Sequence, residues 1–116
     1  MSQGGEDKRR NARIPVDFEV RFTFENREHQ GHALNLSGDG MFLRTNTMLL
    51  KGDRLEVFFR LPNVSEPFWM KGRVVWGTWV ENNPDNSLSG MGVQFVDPLP
   101  EQKDSLEKFL QQQLNR

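Results

Sequence analysis

The sequence predicts a small all-β domain, an antiparallel barrel or sandwich closed by one C-terminal helix. Three observations predict it. Val16, Phe18, Val20, Phe22 and Phe24 alternate with polar residues over nine positions, the period of a strand with one buried face. Gly, Pro, Asn and Asp then break the chain into short apolar stretches at close spacing, as in barrels and sandwiches. After Pro100 the period changes: Leu106, Phe109, Leu110 and Leu114 fall at helical spacing.

The elements follow in order. Residues 1–7 are polar and glycine-containing and read as a flexible leader, with the folded domain expected over 8–116. The first strand follows Pro15. Glu25–Glu28 reads as a turn and His29–Leu36 as the second strand. Ser37-Gly38-Asp39-Gly40 is a tight connection, and a third strand starts at Met41. Lys51-Gly52-Asp53 is a further turn before a fourth strand over Arg54–Leu61. A long strand is expected over Phe68–Val80, with Gly72 and Gly77 as candidate bends. Residues 81–89 form a loop, and Gly90–Val96 closes the series of six or seven strands. The helix is expected over about 100–114, covering an open mouth or seam.

Composition excludes several functions. The 116 residues contain no cysteine, so disulfides, thiolate metal sites and a cysteine nucleophile are ruled out. No apolar run reaches the roughly 18 residues of a membrane span, and no signal-peptide core is visible, so the expected location is cytoplasmic. His29 and His32 are three apart in a strand and point to opposite faces, which argues against a shared metal. No nucleophile–base pair, paired-carboxylate pattern or phosphate-binding glycine loop is present, and no enzyme is expected.

Charge is uneven. Lys8, Arg9, Arg10 and Arg13 take four of the 15 basic residues, leaving 11 against 16 acidic ones. A long nucleic-acid groove needs distributed cations, so neither DNA nor RNA is an expected partner. A local anion site fits the cluster, and composition alone leaves a solvated tail open. Arg9 and Arg13 form an R-x-x-x-R spacing whose planar forks suit phosphate oxygens and the O6/N7 edge of guanine. Asn35-Leu36-Ser37-Gly38-Asp39-Gly40 forms N-x-S-x-x-G. On a strand Asn35 and Ser37 would share a face, and Gly40 would allow a close backbone approach. By itself this segment reads first as an ordinary hairpin connection. Trp69, Trp76 and Trp79 could stack on bases, with Trp69 and Trp79 expected in the core.

The two patterns in this order resemble the PilZ domain, the bacterial receptor module for cyclic di-GMP (c-di-GMP). Arg13-Ile14-Pro15-Val16, Gly72-Arg73-Val74-Val75-Trp76 and Gly90-Met91-Gly92-Val93-Gln94-Phe95 resemble its first strand, late strand and final strand. The resemblance spans about Lys8–Leu110. It implies a six-stranded barrel with an external ligand site and no cofactor. It implies that Arg9 and Arg13 grip guanine and phosphate, and that Asn35 and Ser37 contact guanine and nearby ligand atoms. Gly40 would shape the turn alongside Gly38, Arg10 would add a phosphate contact, and Trp76 would stack on a base. Lys8 would influence whether one ligand or an intercalated pair binds. Asn35 stands where Asp is more frequent, and Asp39 places an anion in the turn. The implied function is a c-di-GMP adaptor without membrane insertion. Ligand would order the N-terminal arginine segment so that a protein partner reads the change. The alternative is a PilZ-like protein-interaction module that binds no nucleotide.

Overall fold

A computed structural model describes residues 12–79 and 89–115. Six strands run in order: β1 (Ile14–Phe24), β2 (Arg27–Leu36), β3 (Gly40–Arg44), β4 (Arg54–Phe59), β5 (Phe68–Thr78) and β6 (Gly90–Phe95), followed by helix α1 (Pro100–Leu114). They close an antiparallel barrel in the order β1-β2-β3-β6-β5-β4, with β4 pairing back onto β1 at Arg21–Thr23. Closure removes both sheet edges and decides for barrel over sandwich.

The alternation in β1 works as the sequence indicates. Val20 and Phe22 are fully buried, while Arg21 and Thr23 are exposed. The turn after β1 is tighter than expected. Only Glu25 and Asn26 lie outside the strands, both with positive φ (52° and 65°), as a two-residue hairpin turn requires to match strand twist. The second strand therefore starts at Arg27 rather than His29. The fourth strand stops at Phe59, short of Leu61, and the fifth stops at Thr78. Residues 80–88, the greater part of the expected loop, lie outside the described residues, as does the expected leader.

The barrel interior is rich in phenylalanine. Phe59 stacks on Phe68 at 5.1 Å and 4°, and on Phe18 at 5.5 Å and 23°. Helix α1 starts with Pro100 at its first turn, where the missing N–H costs nothing. It seats Leu106, Phe109 and Leu110 in the core. Each such side chain contributes roughly 1.5–3 kcal/mol when taken out of water. Leu114, at the last turn, is 40% exposed. A polar clamp completes the seat. The Gln102 amide oxygen accepts from the Trp69 backbone N–H at 2.9 Å, and its nitrogen donates to the Pro67 carbonyl at 3.2 Å.

Two further expectations fail. Trp69 is not core: it is 64% exposed, with its indole N–H donating to Glu56 at 3.0 Å. The irregularity in β5 falls between Val74 and Trp76, not at Gly72 or Gly77. Gly72 instead faces inward, where a Cβ would crowd Val93. No helix among the described residues is long and apolar enough to cross a membrane.

Candidate functional site

Strand register gathers the candidate residues on one outer wall. Asn35 on β2 pairs with Phe42 on β3, Phe42 with Gly92 on β6, and Gly92 with Trp76 on β5. The four positions form one row across four strands. Its ends are roughly 14 Å apart at about 4.8 Å per strand.

Two β-bulges aim the ends of this row. In β2, Gly31 and Ala33 are buried, and unbroken alternation would send Asn35 inward too. The shift between Ala33 and Asn35 inserts an extra residue, so Leu36 takes the core position and Asn35 is only half-buried. In β5, Phe68, Met70, Gly72 and Val74 are buried. The shift between Val74 and Trp76 turns the next residue of that parity out, leaving Trp76 48% exposed. Re-aiming a side chain is what a bulge does beside a site.

Arg13 lies just before β1, and its Nη1 donates to Asn35 Oδ1 at 2.7 Å. The same oxygen accepts from the Phe42 backbone N–H at 3.1 Å. Two N–H donors converge on it, which fixes the amide orientation. Among the described residues the Asn35 NH2 has no acceptor and remains as a donor, beside a guanidinium held by one nitrogen. Such a pair of donors can serve a purine O6/N7 edge or an anionic oxygen.

Ser37 lies beyond the end of β2, in the turn, so the shared-face argument does not apply to it. It is 2% exposed. Its Oγ accepts from the Asp39 and Gly40 N–H groups at 3.1 and 3.2 Å and donates to the Gly40 carbonyl at 3.4 Å. That uses the full capacity of a hydroxyl. Ser37 shapes the turn, and a ligand contact would require its hydroxyl to leave these partners. Gly38 is half-buried in the same turn, and Asp39 is exposed, where solvent and salt screen its charge. Gly40 is needed for the approach of β6: a Cβ there would run into the Val93 carbonyl oxygen. Lys8, Arg9 and Arg10 lie outside the described residues.

Sequence reasoning missed three residues of this wall. Phe42 stacks on Trp76 with ring centroids 5.4 Å apart and 23° between planes. Its outward aim was readable from Met41 and Leu43, which take the inward parity. Arg73 and Gln94 face each other across β5 and β6, with Arg73 Nη2 donating to Gln94 Oε1 at 2.8 Å. They sit one outward position from the Gly92–Trp76 pair, so this part of the wall also carries a cation. Among the described residues no cluster of His, Asp or Glu could hold a metal ion.

Comparison with known proteins gives a fold and a family. The solved structure of Bacillus subtilis inhibitor of motility MotI/DgrA superimposes with a TM-score of 0.72 at 18% identity, over 90% of this chain and 50% of that one. Escherichia coli YcgR in complex with c-di-GMP gives 0.67 at 16%, over 91% of this chain and 46% of that one. The PilZ domain of CeSA from a cellulose-synthesizing bacterium gives 0.65 at 14%, over 91% of this chain and all of that one. This chain therefore spans about half the length of the first two. Among curated proteins none matches the sequence. The PilZ domain model matches residues 7–112, nearly the whole chain and all six strands, and the protein belongs to the PilZ domain family.

Proposed function

We propose that this protein is a receptor for c-di-GMP, which it binds on the outer wall running from Arg13 and Asn35 to Trp76. The observation that carries the reading is the 2.7 Å hydrogen bond from Arg13 to Asn35. It brings one residue of each sequence motif, Arg13 and Asn35, into a single donor cluster. The ligand offers two guanines and two phosphates. Arginine serves both groups, and the free Asn35 amide donors supply direction that charge alone lacks. Trp76, 48% exposed at the far end of the row, offers its ring for a base to stack on. Membership of the family and the c-di-GMP held by the similar YcgR structure support this reading.

In the proposed mechanism Arg9 and Arg10, which precede Arg13 in sequence, contact the ligand, and Lys8 influences whether one ligand or an intercalated pair binds. Ligand fixes this segment against the barrel. Ordering costs about 1–2 kcal/mol per residue, offset by the arginine contacts. The surface so formed is what a protein partner reads, and the protein acts as an adaptor rather than an enzyme. Residues 5–14 should gain hydrogen-exchange protection at saturating c-di-GMP, and unchanged exchange there would remove the switch.

Calorimetric titration tests the binding itself. Heat is expected with c-di-GMP and not with GTP or a single-stranded oligonucleotide. Arg13→Ala removes a charge-assisted contact that costs roughly 2–5 kcal/mol, so affinity should fall by about thirtyfold or more. No heat from the unaltered protein at high micromolar c-di-GMP would leave a protein-interaction barrel that binds no nucleotide.

A further inference from the structure

The Trp76 ring is held from two sides. Phe42, on the strand beyond β6, lies near-parallel beside it, with ring centroids 5.4 Å and planes 23° apart. Between their strands runs β6, which has glycine at both positions under the rings. A Cβ on Gly92 would lie 2.7 Å from Trp76 Cε2 and 2.8 Å from Cδ1. A Cβ on Gly90 would lie 3.0 Å from Phe42 Cε2. The indole therefore rests on bare backbone and leans on a second ring, yet keeps nearly half its surface exposed. An exposed tryptophan ordinarily samples several rotamers, and a ligand that stacks on it must first restrict them. Here the fold has already done so. The Phe42 backbone N–H is also bonded to Asn35 Oδ1, so one residue touches both the stacking end and the hydrogen-bonding end of the wall.

We propose that Phe42, with Gly92 as its floor, is the positioning residue that holds the Trp76 indole flat as a stacking platform for one purine of the ligand. This rests on the reading of the wall as a c-di-GMP site. Phe42 acts through Trp76: it fixes the plane on which the base lands, and the bulge before Trp76 sets the height of that plane.

The test uses the full chain with Trp69→Phe and Trp79→Phe, so that Trp76 is the sole emitter, and it reads two quantities. One is the steady-state anisotropy of Trp76 without ligand, and the other is the calorimetric affinity for c-di-GMP. Phe42→Ala should lower the ligand-free anisotropy and weaken binding about fivefold, a fraction of what a base–aromatic stack contributes. Phe42→Tyr should restore both. Gly92→Ala should displace the indole and weaken binding with Phe42 intact, and it decides the matter if Phe42→Ala fails to fold. A Phe42→Ala protein matching its parent in both readouts would overturn the proposal. So would weaker binding with unchanged anisotropy, since Phe42 would then not act through Trp76. A parent that binds c-di-GMP normally while these variants do nothing cancels only the positioning role. A parent that binds no c-di-GMP cancels the site reading, and the platform with it.

Discussion

Two aromatic pairs stand on the outside of this barrel, and they are built differently. Phe42 and Trp76 lie stacked over glycines, with no polar side chain between them and the backbone. Phe58 and Trp69 meet edge to face at 6.4 Å and 80°. The Trp69 indole N–H is bonded to Glu56, and its backbone N–H to Gln102 of the helix. Trp69 is the more exposed of the two tryptophans, 64% against 48%, so exposure alone does not mark out Trp76. What sits beneath each ring and what its polar handle does separate them. Trp76 offers a flat face in one row with Asn35, whereas Trp69 braces the strand on which the helix is seated.

After Arg13→Ala, the largest expected effect breaks or keeps this contrast directly. Trp76→Ala should weaken c-di-GMP binding by roughly fivefold to a hundredfold, the range of a base–aromatic stack. Trp69→Ala should leave affinity within about twofold. Parallel titrations measure both, and equal losses would erase the distinction between the two faces. Next in size is Ser37→Ala. It deprives the Asp39 and Gly40 N–H groups of their acceptor, and Gly40 is buried. A buried donor left unpaired costs about 1–3 kcal/mol, so urea unfolding without ligand should show a loss in that range. The turn also fixes Gly40 against Gln94, and hence the register that lays Phe42 beside Gly92. Affinity should fall along with stability. Weaker binding at unchanged stability would instead make the hydroxyl a ligand contact.

How far the sequence revealed this wall depends on where alternation holds. It holds through β1 and for Phe68 to Val74, and the helix from Pro100 to Leu114 follows from its own period. Trp69 could have been placed outside by parity alone: Phe68 and Met70 take the inward positions. Its bulk argued for the core, and the argument from bulk was the wrong one. Asn35 and Trp76 are the opposite case. By parity both belong inside, with Ala33 and Val74, and only the bulges turn them out. Each bulge is set by the register of one strand against its neighbour, β2 against β3 and β5 against β6, which alternation within a single strand does not announce. The motif resemblance supplied those two residues where periodicity could not, and it supplied nothing for Phe42, which lies outside the motifs.

The smallest effect concerns the brace. Gln102 satisfies one donor and one acceptor of the β5 entry with a single amide. In Gln102→Ala the Trp69 N–H and the Pro67 carbonyl lose their partner. Trp69 is exposed and Pro67 and Gln102 are half-buried, so water replaces much of what is lost, and the cost should be about 1 kcal/mol. Thermal or urea unfolding should register that loss, while the c-di-GMP titration should be unchanged, because the clamp lies at the opposite end of β5 from Trp76. A Gln102→Ala protein of normal stability but altered affinity would mean that the helix seat and the ligand wall communicate along β5. The two aromatic pairs would then be the ends of one device rather than two independent faces.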